Sequence, residues 1–158
     1  MLKQLNIKNL TLFSNEHQLS FAAGLNVFVG ENGTGKTHLL KMAYSLIAAS
    51  QEASRKQENN APTKTYLQKA YADKLLGVFK PDTLGRLASR KQGRARCEVS
   101  LDFVNQDLNT SINFATNAQS DVQVETLPKQ WSEQRALFIP TRELMTIYPG
   151  FVALYDMH

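Results

Sequence analysis

Two hydrophobic rhythms run through the chain. At its start Leu5 and Ile7 alternate with Asn6 and Lys8, a period of two that predicts a strand. Residues 14–17 (SNEH) are turn chemistry, and Leu19 and Phe21 mark a second short strand. Beyond Gly24 the alternation gives way to a compact apolar run, LNVFV at 25–29. That pattern predicts a strand covered on both faces, as parallel strands are. From Thr37 the period lengthens, and Leu39, Leu40, Ala43, Leu46 and Ile47 predict a helix. Residues 50–64 are polar and poor in large apolar side chains, so they read as an exposed, mobile loop. Helical spacing returns at Leu67, Ala70, Tyr71, Lys74, Leu75, Val78 and Phe79, and Pro81 ends it.

The period of two then resumes. Cys97, Val99, Leu101 and Phe103 alternate with Glu98, Ser100 and Asp102, which predicts a half-exposed antiparallel strand. TSINFAT and DVQVETL continue this meander. RALFIP, at 135–140, is a second compact apolar strand, and residues 141–158 read as helix in two pieces broken at Pro149 and Gly150. There is no internal repeat.

The chain has 158 residues, enough for one domain with a real core. A hydrophobic fraction of 42% and a charged fraction of 20% suit an ordinary globular protein. No apolar run approaches the roughly 20 residues that cross a bilayer, and the alternating N-terminus does not read as a signal peptide. Cys97 is the one cysteine, so an intrachain disulfide is excluded and a reducing, cytoplasmic setting is expected. The net charge of +4 leans mildly towards polyanions.

Candidate chemistry gathers between the LNVFV run and the first helix. Residues 30–37 read GENGTGKT and match G-x-x-x-x-G-K-[ST] at Gly30, Gly35, Lys36 and Thr37. Glycine lets the backbone turn through positive φ and approach phosphate oxygens without a Cβ in the way. The amides of Glu31, Asn32, Gly33 and Thr34 then point inward as an anion nest, and a helix starting near Gly35 adds its positive end. Lys36 supplies a mobile charge for the β- and γ-phosphates of ATP, and the Thr37 hydroxyl is a ligand for Mg²⁺. The bland alternative is a glycine-rich turn with a chance lysine, but a buried strand before it and a helix after it favour a Walker A loop.

The stretches LKQLNIKNL, LSFAAGLNVFVGENGTGKTHLLKMAYSL and ALFIPTREL resemble the N-terminal lobe of the SMC/RecF-like branch of ABC-type ATPases. That branch includes the AAA-labelled OLD-like and retron-associated proteins of bacterial anti-phage systems. The resemblance covers nearly all of the chain. It implies an α/β P-loop NTPase fold: a partial ABC-type ATPase head whose mixed sheet combines buried parallel strands with an antiparallel meander, flanked by helices. It also implies that Asn32 lies near the γ-phosphate, and that ATP clamps a second head against this one in a homodimer. Nucleic acid or an effector protein would be the downstream partner, with no membrane role. Where relatives often carry arginine after an IKNF-like stretch, IKNL here leads to Thr11. No Q-loop glutamine is clear, since Gln134 precedes RALFIP, and Arg142 or Glu143 could approach metal or phosphate.

Hydrolysis needs further parts. Asp102 is the one Asp near an apolar run, but its neighbours alternate, so it reads as an exposed strand residue. RALFIP leads to Thr141 rather than Asp, and no LSGGQ-like signature occurs. The chain therefore reads as the N-terminal lobe, residues 1–158, of a longer ATPase whose C-terminal lobe is missing, with turnover expected of the full-length protein. A complete non-hydrolysing nucleotide-binding regulator is the alternative, and a small-molecule kinase the third reading.

Other features read blandly. Arg86, Arg90, Lys91, Arg94 and Arg96 suit a solvated basic loop better than a nucleic-acid contact, because no aromatics interleave. Residues 82–85 (DTLG) imitate a GTPase motif by chance. His17, His38 and His158 are scattered. Cys97 reads as core, Tyr66 and Tyr71 as a helical core stripe, and Trp131 as packing near the last strand.

Overall fold

A computed structural model describes residues 1–56, 60–89, 95–133 and 135–139. Five strands form one sheet: β1 (Leu2–Lys8), β2 (His17–Ser20), β3 (Arg96–Phe103), β4 (Thr110–Ala115) and β5 (Gln123–Thr126). Their order is β2-β1-β3-β4-β5, and every pairing is antiparallel. Between β1–β2 and β3 the chain makes two helices, α1 (Lys36–Lys56) and α2 (Lys64–Phe79).

The alternation read from the sequence sets the two faces of the sheet. Leu5, Ile7, Val99, Leu101, Ile112, Phe114 and Val124 are buried and meet Leu39, Met42 and Leu46 of α1 and Leu67, Tyr71 and Leu75 of α2 in one core. The product is two layers, sheet and helices, around that core. The opposite face is polar. There Asn6 Nδ2 donates to Ser100 Oγ at 2.9 Å and to Asp102 Oδ2 at 3.0 Å, and Arg96 Nε donates to Asn113 Oδ1 at 2.7 Å. Asp102 is thus a strand residue of the outer face.

α2 stops where Lys80 turns to φ 52 and its amide donates back to Leu76 O at 2.9 Å, one residue before Pro81. α1 runs further than its apolar spacing predicts. Residues 50–56, expected in a loop, are helical, and Ser50, Gln51 and Ala53 are buried. Their polar side chains are used by tertiary partners: Ser132 N donates to Ser50 Oγ at 3.0 Å and Ala136 N to Gln51 Oε1 at 3.4 Å. Trp131 packs on α2, with its ring 6.0 Å from that of Tyr66 and Nε1 donating to Asn60 O.

The buried parallel strands of the expected mixed sheet are not formed among the described residues. Residues 25–29 and 135–139 carry no strand pairing. Their side chains still alternate. Phe28 turns inward against Phe21, with ring centroids 6.1 Å apart, and Phe138 against Tyr44 at 5.7 Å. Outward, Leu25, Val27 and Val29 are 88%, 71% and 90% exposed, and Leu137 and Ile139 are 82% and 70% exposed. A strand needs a neighbour to take its backbone hydrogen bonds, and no described segment lies in that place. Gln134, residues 140–158 with Arg142 and Glu143, and Arg90, Lys91 and Arg94 of the basic cluster lie outside the described residues.

Candidate functional site

The turn from 25–29 into α1 is built as the glycine spacing requires. Gly33 has φ 82 and Gly35 φ 88, the left-handed region that a side chain disfavours. The hydrogen bonds of α1 begin at Gly35, whose carbonyl accepts from His38 N at 2.9 Å and Leu39 N at 3.2 Å. Residues 32–33 form a turn, and among the described residues the amides of Glu31, Asn32, Gly33, Gly35, Lys36 and Thr37 donate to no backbone carbonyl. The first turn of α1 contains no acidic residue to neutralise its positive end. The corner is therefore a run of free donors at a helix N-terminus, open to solvent.

Lys36 folds back over this corner. Its Nζ donates to Gly30 O at 2.7 Å, to Glu31 O at 2.6 Å and to Thr34 Oγ1 at 3.3 Å. The Thr34 hydroxyl in turn donates to Glu31 O at 2.9 Å. The ammonium is held by neutral oxygens of its own loop, which an anion with full charge would outcompete. A Cβ at Gly30 would stand 3.2 Å from Thr34 Oγ1 and 3.9 Å from Lys36 Nζ, so glycine leaves room for this packing. Glu31, Asn32 and Thr37 are exposed beside it.

A second segment touches the corner that the glycine spacing does not announce. Leu10 and Phe13 close a two-residue turn through Leu10 N to Phe13 O at 3.0 Å and Phe13 N to Leu10 O at 2.8 Å. The Phe13 ring lies where a Cβ on Gly35 would be, with Cε2 at 2.7 Å. His38 Nδ1 is 3.0 Å from Thr11 Oγ1, and its ring is 5.7 Å from that of Phe79. Burial, and then the nearby Lys41 cation, hold the His38 pKa below its ordinary value. The only sequence signal for this neighbour is its position directly after β1.

Other candidates are not brought here. Asp102 faces Gln4 across the sheet, towards the start of β1, whereas the Leu10–Phe13 turn follows its end. Among the described residues, no group of three or more His, Cys, Asp or Glu side chains could hold a metal, and no helix is long and apolar enough to cross a membrane. The mimic of a GTPase motif at 82–85 runs from an exposed Asp82 to a buried Gly85, which sits so close to Thr116 that a Cβ would fall 2.2 Å from its carbonyl oxygen. Cys97 is fully buried, and burial pushes its thiol pKa up. A cleft of about 760 Å³ between α1 and α2 is lined from Ala49 to Lys56 on α1, at the other end of that helix from the corner.

A search of curated proteins returns no match to the chain. A family model described as an AAA domain matches residues 4–136, from β1 through the glycine corner, both helices and the meander into the segment that follows β5. That span is well over half of the sequence and includes the glycine corner in its N-terminal third, and the chain belongs to the AAA-domain family of nucleotide-binding, ATPase-type proteins.

Proposed function

We propose that residues 30–37 bind the triphosphate of ATP together with Mg²⁺, and that the chain acts as the N-terminal part of an ABC- or SMC-like ATPase. The observation that carries this reading is the corner itself: six amides between Glu31 and Thr37 without backbone acceptors among the described residues, two glycines at positive φ, and one ammonium poised on exchangeable oxygens. The amides of Glu31 to Gly35 would cradle the β-phosphate, and Lys36 would leave Gly30 O and Glu31 O for the β- and γ-oxygens. The Thr37 hydroxyl would ligate Mg²⁺, and Asn32 would lie towards the γ-phosphate. The metal, when bound, neutralises phosphate charge.

The exposed outer faces of 25–29 and 135–139 support the lobe reading, because alternating apolar side chains at this exposure fit the uncovered side of a larger sheet. In that setting the head would pair with a second copy, and the coupled process would be DNA handling or phage defence. A second reading, a nucleotide-binding regulator without turnover, is favoured by the placement of Asp102 on the outer face, away from the corner.

Two measurements separate these readings. Mg-ATP should raise the melting temperature, since ligand at about 100 times Kd adds about 2.7 kcal/mol. Lys36→Ala should remove that shift. No shift in the wild type at millimolar Mg-ATP would refute nucleotide binding by this chain. Phosphate release that Lys36→Ala abolishes supports an ATPase, and binding without release supports the regulator.

A further inference from the structure

The corner sits on an incomplete foundation. Among the described residues, 25–29 pair with no strand, so on that side the packing of Phe28 on Phe21 holds the loop without a ladder unless another element supports it. The Leu10–Phe13 turn is that element. It is tied to the molecule independently of the loop: Thr11 N donates to Leu87 O at 2.8 Å, and Leu10 bridges Ala88. Leu10 is fully buried. From this base the Phe13 ring presses on the face of Gly35 that lacks a side chain, and Thr11 reaches His38.

Thr11 also occupies an unexpected conformation. Its φ is 47, at the first central position of a two-residue turn, a place that glycine takes without strain. A β-branched residue is a true outlier there, and backbone strain of this kind gathers at functional sites. Glycine would fit the backbone better but would lack the hydroxyl that meets His38, one residue after Thr37.

We propose that the Leu10–Phe13 turn positions the phosphate loop: the Phe13 ring holds Gly35 in its left-handed conformation, and the Thr11 hydroxyl fixes the first turn of α1 through His38. Thr11 and Phe13 are positioning residues, acting through His38 and Gly35. The proposal rests on residues 30–37 being the nucleotide site, and it gives this chain a lever on affinity outside the GENGTGKT motif.

The test pairs a ligand-free readout with a binding readout in three variants. Thr11→Gly removes the hydroxyl and relieves the strain, Thr11→Ser keeps the hydroxyl, and Phe13→Ala removes the ring. In ¹⁵N NMR of the protein without nucleotide, Thr11→Gly and Phe13→Ala should move the amide signals of residues 33–37 and lower their heteronuclear NOE, while Thr11→Ser leaves the NOE unchanged. With Mg²⁺ and a fluorescent ATP analogue, Thr11→Gly should raise Kd about fivefold, the equivalent of one ordinary hydrogen bond, at an unchanged or higher melting temperature. Thr11→Ser should restore the wild-type Kd. A Thr11→Gly protein with a wild-type loop NOE overturns the proposal, and so does a rise in Kd that only follows a fall in melting temperature. If the wild type binds no nucleotide, the functional reading fails, and the NMR arm alone decides whether the turn orders the loop.

Discussion

Tyr71 is fully buried on α2, and its hydroxyl meets Thr110 Oγ1 at 3.2 Å across the interface with β4. Tyr71→Phe should cost about 1 kcal/mol in urea denaturation, the net worth of one buried hydrogen bond. The same residue sets an alkaline limit. Burial pushes its phenol up from 10.0 to about 12, with the Thr110 bond acting in the opposite sense. The unfolded chain therefore ionises first as pH rises, so this contribution is complete below pH 10 and is lost as pH rises towards 12. Tyr71→Phe should flatten that part of the stability profile. The core role of Tyr71 was legible in its helical spacing, but its partner was not, because Thr110 is 39 residues away. Lys36 shows the same division. The motif identifies it, and only the fold shows which oxygens hold it.

Among the elements, local pattern did best where one face is buried and the other wet. β3 and β4 alternate as read, because a sheet with helices on one side sorts every second residue. The end of α2 illustrates a local signal with a consequence for stability. Lys80 takes the left-handed cap position at φ 52, where glycine is the favoured residue. Lys80→Gly should therefore stabilise the protein by about 0.5–1 kcal/mol, measured as a rise in the urea midpoint at constant m-value. The far end of α1 could not be read locally. Ser50 and Gln51 look like loop residues, and they are helical here while accepting from Ser132 N and Ala136 N, more than eighty residues on.

Across the whole molecule, the apolar runs at 25–29 and 135–139 divide into inward phenylalanines and outward aliphatics. Substituting Val27 and Val29 with lysine should leave the melting temperature nearly unchanged, because both side chains are already in water. It should also reduce binding of a hydrophobic dye such as ANS. A large loss of stability would show instead that these side chains are covered in solution. In either case, Phe28 and Phe138 should stay sensitive to truncation, since they pack on Phe21 and Tyr44.

The sequence alone determined whatever depends on neighbours in the chain. The glycine corner from Gly30 to Thr37, the helix that follows it and the alternation of the meander all arise from backbone freedom, hydrogen-bond closure within one turn and a period of two. Tertiary structure decided whatever depends on a distant partner. It left LNVFV without a ladder among the described residues, extended α1 through residues 50–56, and set Phe13 and Thr11 against Gly35 and His38. Apolar character states that a segment can be buried, and only a second surface brought against it by the fold makes the burial happen.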